Sequence, residues 1–235
     1  MLSLEQIRHS WTIKKARKAL LIQKNKGVDI ESMLSFLDTI QPEWSDRADH
    51  CNYLVVDIET TGLSLSKDSI LSIGYVAIRK GVIELDSAKH IYIQTEQSVG
   101  ESATIHGIHD SDIQQKGKSI TYAIDKLLTA LSGHVLVVHY AKLDLAFLNK
   151  VIQARFGFQL LIPCLDTMAI ERKRQLRKYP TIQPKLRLDD CRERYGLPRY
   201  SAHNALIDAI ATAELWLAQL SHTQGNKQSL LKDFK

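Results

Sequence analysis

The sequence predicts an α/β domain with a mixed β-sheet and helices on both faces, preceded by an N-terminal helical hairpin. Three observations lead to this prediction. Residues 1–42 carry apolar side chains at helical spacing, residues 53–93 contain three short strand-like segments, and residues 119–220 alternate between helical and strand-like segments. Strands followed by alternating helices and strands are typical of a mixed sheet covered by helices.

The hairpin is predicted from two helical segments separated by Gly27. Ser3 and Gln6 resemble a capping box, which indicates a helix that ends near Lys26. Asp29 can cap the second helix. That helix has apolar residues at helical spacing, namely Met33, Phe36, Leu37 and Ile40.

The sheet is predicted to have five strands. They fall at residues 53–58, 70–78, 82–93, 135–139 and 161–165. A Lys80-Gly81 turn joins the second strand to the third. Helices are predicted at about residues 119–131, 145–156, 167–178, 188–195 and 205–220.

The predicted domain organisation has three parts. Residues 1–50 form the hairpin and a polar linker, residues 51–222 form the α/β domain, and residues 223–235 form a polar tail. The tail is expected to be disordered, as chain ends often are. Residues 228–234 loosely resemble clamp-binding peptides, with imperfect spacing.

Composition limits the classes of protein to consider. The chain has 235 residues, 44% of them apolar, so it can bury a substantial core. No apolar run approaches the roughly 20 residues that cross a bilayer, and residues 1–11 lack a signal-peptide layout. Three cysteines far apart fit neither a disulfide framework nor a zinc site. We therefore expect a cytoplasmic protein with no membrane partner.

The net charge of +5 is unevenly distributed. Residues 8–26 include seven basic residues and no acidic one, and a second basic stretch runs over residues 172–178. Either stretch could face phosphates or could be a solvated helix face. The sequence leaves both interpretations open.

The strongest local signal is the segment Asp57-Ile58-Glu59-Thr60-Thr61-Gly62. Side chains in a strand alternate with period two, so Asp57 and Glu59 are predicted to point to the same side. Two adjacent anions repel each other unless a cation neutralises them, and carboxylates suit Mg²⁺ or Mn²⁺. Thr60, Thr61 and Gly62 are small, which lets backbone amides approach a ligand. The alternative is that either acid simply caps the turn.

Two further polar elements follow later in the chain. Asp144 lies where a strand gives way to a helix, a common ligand site in α/β sheets, although a plain helix cap would look the same. Asp208 falls on an apolar helix, where a carboxylate is costly unless it is paired or bound to metal. His203 is predicted in the loop or first turn before that helix, with Asn204 as a possible cap. This position suits a mobile base better than a fixed ligand.

Together these motifs resemble the DEDDh 3′→5′ exonuclease family, the DnaQ-like family of proofreading nucleases. The resemblance covers roughly residues 51–220 and carries family roles over by motif. It implies a ribonuclease-H-like fold and two divalent metals, Mg²⁺ or Mn²⁺. The implied metal ligands are Asp57, Glu59, Asp144 and Asp208, with His203 as general base.

The resemblance extends to three other segments. Residues 104–108 resemble the family loop that lines the terminal-nucleotide pocket, which implies substrate contacts from His106 and Ile108 together with Thr60, Thr61 and Gly62. Residues 188–195 resemble a helix that we take as structural, and Asp166 is expected to cap a helix. Two positions depart from the family: Tyr140 replaces the usual Asn and Leu143 the usual Phe.

The predicted function is removal of nucleotides from the 3′ end of single-stranded DNA, in replication or repair, with a DNA polymerase subunit as a possible partner. An RNA-trimming exonuclease of the same family is the first alternative. A non-catalytic module that binds nucleic acid or a polymerase is the second. The hairpin could guide nucleic acid through its lysines or dock through Ile7, Trp11, Leu20 and Leu21, and docking is favoured because these side chains require burial.

Overall fold

A mixed five-stranded sheet lies at the centre of the computed structural model, as predicted. The structure describes residues 4–39, 44–95, 99, 102–159, 162, 164–201, 203–224 and 229–234, without the side chains of residues 4–11, 105 and 224. The strands are β1 Tyr53–Thr60, β2 Ile70–Arg79, β3 Val82–Tyr92, β4 Val135–Val138 and β5 Cys164–Asp166. Their order in the sheet is β3-β2-β1-β4-β5. β1, β2 and β3 pair antiparallel, whereas β4 pairs parallel with both β1 and β5.

Nine α-helices are assigned within the described residues. They are α1 Leu4–Asn25, α2 Glu31–Asp38, α3 Ala103–His106, α4 Asp110–Lys116, α5 Ile120–Leu131, α6 Ala141–Phe156, α7 Thr167–Lys178, α8 Leu188–Glu193 and α9 Ala205–Gln224. Short 3₁₀ helices occur at Ala48–His50 and Leu231–Phe234. In the described part of the chain, no helix combines the length and apolarity needed to cross a bilayer.

Alternation along β1 divides the core between the two faces of the sheet. Leu54, Val56 and Ile58 belong to the larger apolar cluster, which also holds residues of α2, α5 and α6. Tyr53 and Val55 belong to the second cluster, where Trp216 of α9 packs edge-on against Tyr53 at 5.1 Å between ring centroids. Period-two geometry therefore directs Asp57 and Glu59 to the face that α9 covers.

The N-terminal hairpin docks on the sheet domain. Leu20 of α1 and Met33 and Phe36 of α2 are fully buried in the larger cluster. Arg155 of α6 reinforces the contact, because its guanidinium donates to Asp29 O at 3.0 Å and pairs with Asp125 of α5 at 2.8 Å. Docking is confirmed for Leu20, whereas Leu21 is exposed, contrary to expectation, because it lies on the solvent side of α1. The side chains of Ile7 and Trp11, together with Ser3, Gln6 and Ile40, provide no test because they lie outside the description.

The C-terminal segment is ordered over residues 229–234, so the expectation of a disordered end is wrong there. Leu231 and Phe234 are buried, and the Phe234 ring packs edge-on against Trp216 at 4.9 Å. Backbone hydrogen bonds join this segment to the predicted linker. Leu231 N donates to Asp46 O and Ala48 N donates to Ser229 O, both at 3.0 Å. Aromatic and leucine side chains at the end of a polar stretch supply enough apolar area to hold it against the domain. The division at residue 222 also falls inside α9, and the three-part domain organisation remains a prediction.

Candidate active site

Asp57 and Glu59 lie at the carboxyl end of β1, next to the edge where α9 begins. Asp57 pairs with Gly74 of β2, and Glu59 pairs with Ser72. The ladder shifts its register between Glu59 and Thr60. Regular pairing up to Glu59 therefore keeps both carboxylates on the face of the sheet that α9 covers.

Gly74 allows α9 to approach this edge. A Cβ atom at position 74 would lie 2.1 Å from the carbonyl carbon of Ala205 and 2.3 Å from the nitrogen of Leu206. Such distances are far below van der Waals contact, so any side chain would push the start of α9 away. A glycine inside a strand is the sequence signal for such close backbone approach, and it points to Gly74.

The approach of α9 brings three carboxylates together. Oxygen atoms of Asp57, Glu59 and Asp208 all lie within 4.8 Å of one another, close enough to share a metal ion. Asp208 is also held by the protein, because the backbone N–H of His203 donates to its Oδ2 at 2.8 Å. Three of the four predicted acidic ligands thus converge from β1 and α9.

Asp144 joins the cluster from the first turn of α6. Asp144 is only 4% exposed, and the nearby backbone of Ile58 in β1 partly offsets the effect of burial on its pKa. Its charge raises the pKa of Asp57, so the two carboxylates are electrostatic neighbours. It lies outside the group of three acids whose oxygens meet within 4.8 Å. Its predicted role as a ligand remains a prediction, as do those of the other acids.

The acids oppose one another's ionisation. Burial, followed by the neighbouring carboxylates, holds the pKa of Asp57 well above its usual range. Burial likewise raises the pKa of Asp144 well above the usual value. For Glu59, burial and then the charge of Asp208 raise the pKa to about 7. A divalent cation would reverse these shifts, because opposite charge favours the ionised form.

His203 lies in the loop before α9, as predicted, and its side chain is exposed. Its backbone has φ of 68°, a left-handed conformation held by the hydrogen bond from its N–H to Asp208. Asn204 caps α9, accepting from Ile207 N at 3.2 Å. The imidazole is therefore tethered next to the acids through its backbone while its ring remains accessible, as a mobile base requires.

His106 presents an unused hydrogen-bond donor near His203. Its side chain is 8% exposed, and Nδ1 accepts from Ile108 N at 3.2 Å, so the neutral ring carries its proton on Nε2. Nε2 is buried without a partner among the described residues. Burial and then the charge of His203 lower the pKa of His106. Ile108, by contrast, is buried in a small apolar cluster with Leu71, and its contact with substrate remains a prediction.

The loop after β1 is held in place by Asp68. The Asp68 carboxylate accepts from Thr61 Oγ1 at 3.0 Å and from Ser64 N at 2.8 Å. Gly62 lies against this carboxylate, and a Cβ there would be 2.6 Å from Asp68 Oδ2 unless the Asp68 side chain moved. The Thr61 N–H already donates to Ser69 O, so it is not available to a nucleotide. Substrate contacts from Thr60, Thr61 and Gly62 remain a prediction.

Asp166 is a helix cap, as expected, and it caps two helices. Its carboxylate accepts from Tyr140 N and Ala141 N of α6, each at 3.0 Å, and from Met168 N of α7 at 2.9 Å. Tyr140 adopts a left-handed backbone with φ of 82°. Asparagine tolerates that conformation better than tyrosine, which gives a backbone reason for the family preference at this position.

One further acid, Asp189, lies near enough to the site to affect Asp208 electrostatically. Asp189, in the first turn of α8, contributes to raising the pKa of Asp208 after burial. Acids at the start of a helix also stabilise the helix dipole. The sequence alone therefore does not distinguish that structural role for Asp189 from an influence on the acidic site.

Comparisons with known proteins give a consistent assignment. A family model described as exonuclease, RNase_T, matches residues 54–216. The PolC-type DNA polymerase III of Thermotoga petrophila is 30% identical over 171 residues, which are 72% of this chain and 12% of that protein. The epsilon subunit of DNA polymerase III from Aquifex aeolicus is 24% identical over 166 residues, covering 70% of this chain and 78% of the subunit. The chain thus corresponds to about an eighth of the PolC-type relative's length.

Solved structures share the fold at low sequence identity. The nuclease domain of 3′hExo, a DEDDh family member bound to rAMP, has a TM-score of 0.61 and 14% identity over 79% of this chain and 98% of that one. Escherichia coli Exonuclease I bound to a dT13 oligonucleotide has a TM-score of 0.61 and 16% identity over 75% of this chain and 42% of that one. The matched family segment runs from the strand that carries Asp57 to the helix that carries Asp208, and the chain belongs to the exonuclease family of the DnaQ-like, DEDDh type.

Proposed function

We propose that the chain hydrolyses the 3′-terminal phosphodiester of single-stranded DNA with two divalent ions, Mg²⁺ or Mn²⁺, and releases nucleoside 5′-monophosphates. The observation that carries the proposal is the convergence of carboxylate oxygens from Asp57, Glu59 and Asp208 within 4.8 Å, with Asp144 adjoining them. His203 lies beside this cluster with its ring exposed.

The residues fit divalent cations. All four donors are carboxylates, the ligand type that hard ions such as Mg²⁺ and Mn²⁺ prefer. Their raised pKa values reflect mutual repulsion and burial that cations would relieve. Asp57, Glu59, Asp144 and Asp208 would hold the ions. When bound, such ions supply the charge that activates water and stabilises the departing oxygen.

The remaining residues position the terminal nucleotide and remove a proton from the attacking water. His203 accepts the proton of the attacking water, because its ring is exposed just before the start of α9 while its backbone is held by Asp208. His106 offers its Nε2–H to an oxygen of the terminal nucleotide, which would satisfy an otherwise unpartnered buried donor. The loop over residues 60–69, fixed by Asp68, bounds the terminal nucleotide on the β1 side.

A cleavage assay on end-labelled oligonucleotides tests the proposal. A 20-nucleotide single-stranded DNA labelled at its 5′ end is incubated with Mg²⁺ or Mn²⁺ and the wild-type chain. We expect a ladder of products shortened from the 3′ end, and nucleoside 5′-monophosphates among the released products. Asp57→Asn should lower the rate by at least 100-fold, since it removes a ligand charge while preserving shape. Asp86→Asn, which neutralises an exposed carboxylate on β3, is the matched control and should leave the rate unchanged.

Other outcomes separate the alternatives. Equal rates for wild type and Asp57→Asn would contradict the proposed active site. Faster digestion of a matched RNA oligomer would assign the chain to RNA trimming instead. Tight binding of DNA without cleavage under any metal condition would favour the non-catalytic module.

The similarity to polymerase III proteins supports a polymerase as partner. The epsilon subunit of Aquifex aeolicus and the PolC-type polymerase both carry regions similar to this chain. We propose that the chain works alongside a DNA polymerase, with the hairpin as an added element on the exonuclease domain. Leu21 and Ile22 are exposed apolar side chains of α1, so Leu21→Ser/Ile22→Ser changes the outer face of the hairpin and leaves its packed face intact. Co-purification with a polymerase subunit that this double variant loses while it retains cleavage would support the role, and failure of the wild-type chain to co-purify would contradict it.

A further inference from the structure

A basic groove lies between α7 and α9, at the end of the molecule away from the acidic site. Its cavity volume is about 420 Å³, and it is bordered on one side by the 3₁₀ helix Leu231–Phe234. Gln219, which lines it, follows Asp208 by eleven residues of the same helix. At 1.5 Å per residue, the groove is therefore about 16 Å along α9 from the acids.

The charge of this α7–α9 groove favours an anion. Four cationic side chains line it, against the single carboxylate of Asp233; they are Lys173, Arg174, Arg177 and Lys178. Arg174 is partly neutralised, with Glu171 at 3.9 Å and the Tyr195 ring at 4.8 Å. Arg177 and Lys178 are exposed and make no ion pair with any residue that the structure describes. These two cations are therefore suited to hold a phosphate group.

Gln219 adds a second, independent indication of a ligand. The side chain is 1% exposed, and its Nε2 donates to Thr167 O at 2.9 Å. The other end of the amide, Oε1, is buried without a partner among the described residues while the side chain lines the groove. A buried acceptor of this kind is costly to leave unpaired, so the groove calls for a ligand that brings an N–H or O–H donor.

A nucleotide carries both features that the groove would bind, a phosphate and N–H or O–H donors. The cavity also falls in the range of about 300–1,000 Å³ that small-ligand sites occupy. We propose that the α7–α9 groove is a second nucleotide-binding site, in which Arg177 and Lys178 hold the phosphate and Gln219 Oε1 accepts from the base or sugar. The inference rests on the proposed function in one respect, because an exonuclease encounters nucleotides both in the strand and as released monophosphate.

The shared chemistry allows two sources of ligand, and each makes a different prediction. A free monophosphate would occupy the groove as a discrete small molecule. A strand would occupy it only as part of a longer polymer, with salt-dependent affinity from several phosphate contacts. The two probes that separate these cases are thymidine 5′-monophosphate and a 20-nucleotide oligothymidylate.

Binding in EDTA isolates the groove from the acidic site. Without divalent ions the acidic site has no positive charge to hold a phosphate, so affinity measured in EDTA reports on other surfaces. The full chain is titrated with each probe, by calorimetry for the monophosphate and by fluorescence anisotropy for the oligomer. We expect saturable binding of at least one probe by wild type. The double variant Arg177→Gln/Lys178→Gln should weaken it at least tenfold.

A charge-matched control distinguishes a site from general attraction. Arg172→Gln/Lys185→Gln removes the same charge from exposed positions that do not line the groove, and we expect a loss below threefold. The proposal would be overturned if neither probe binds the wild-type chain, or if both double variants lose affinity equally. Failure of the proposed function would appear elsewhere, as absent metal-dependent cleavage by wild type, whatever the binding in EDTA.

Discussion

At the scale of single residues, the carboxylates of the acidic site repel one another, and protonation or bound cations would relieve that repulsion. Glu59 is the clearest case, because its pKa rises to about 7 in the folded chain. Below its ordinary pKa of about 4.5 the Glu59 carboxyl is protonated in both the folded and the unfolded chain, so it does not lower the free energy of unfolding. As pH rises from there to about 7, the unfolded chain gives up the proton while the folded chain retains it. The free energy of unfolding of the metal-free protein must therefore fall across this window.

We predict that Glu59→Gln stabilises the metal-free chain at high pH. Glutamine does not titrate, so in EDTA the variant should melt a few degrees above wild type at pH 8 and close to it at pH 4.5. Adding excess Mg²⁺ at pH 8 should raise the wild-type melting temperature more than that of the variant. Thermal melts at the two pH values measure both effects. A difference that is largest at low pH would contradict the assigned direction of the pKa shift.

The absence of a side chain at Gly74 allows the start of α9, and with it Asp208, to lie close to the sheet. We predict that Gly74→Ala reduces exonuclease activity at least tenfold and lowers stability by about 1–3 kcal/mol, because its Cβ would displace the start of α9 and with it Asp208. Gly81→Ala is the control: it lies in the open β2–β3 turn with φ of 75° and meets no atom within 4 Å. That variant should lose stability through backbone strain while retaining activity. Full activity in Gly74→Ala would refute the positioning role.

At the scale of elements, Arg192 of α8 ties the loop that leads to His203 onto α9. Its guanidinium donates to Pro198 O at 2.8 Å, to Glu214 Oε2 at 2.7 Å and to Ala211 O. Tyr200, later in the loop, donates its hydroxyl to the other Glu214 oxygen at 2.8 Å. The loop is therefore anchored at two points just before the proposed base.

We predict that Arg192→Met costs about 3–5 kcal/mol of unfolding free energy, since removing one partner leaves buried acceptors and a carboxylate unpaired. Arg199→Met is the matched control, because Arg199 pairs with Glu193 at 3.4 Å with both side chains exposed. Exposed pairs contribute less than about 1 kcal/mol. Denaturant unfolding of both variants tests the contrast, and similar losses would refute the anchoring role of Arg192.

The elements also show which features the sequence could predict. Strand periodicity predicted β1 and the shared face of Asp57 and Glu59, since both depend only on local alternation. The start of α6 was predicted four residues late because its cap, Asp166, comes from a distant part of the chain. The fit between Gly74 and α9 depends on sheet pairing and helix packing together. α3 and α4 were missed because four and seven residues are too few for a helical period to show.

At the scale of the whole molecule, the two ends of the chain brace the exonuclease domain on opposite faces of the sheet. The hairpin packs into the larger apolar cluster, and residues 229–234 pack into the cluster that contains Trp216. Trp216 lies on the same helix as Asp208. The C-terminal segment therefore supports the helix that supplies one side of the site.

We predict that Phe234→Ala lowers stability by about 3 kcal/mol, because a buried aromatic ring packed on Trp216 is removed. Lys232→Ala, on the exposed side of the same 3₁₀ helix, should change stability by less than about 0.5 kcal/mol. Melting temperatures of the two variants provide the test. Equal stability of Phe234→Ala and wild type would mean that the C-terminal segment does not brace the domain.

The central claim is that four acids on three elements form one centre for divalent cations. The most direct test titrates metal-free chain with Mn²⁺ at pH 8 and counts bound ions from the electron paramagnetic resonance of the free ion, with thymidine 5′-monophosphate present. We predict two bound Mn²⁺ per wild-type chain and loss of both tight sites in Asp57→Asn. Mn²⁺ binding that is absent in wild type, or that is the same in Asp57→Asn, would contradict the claim.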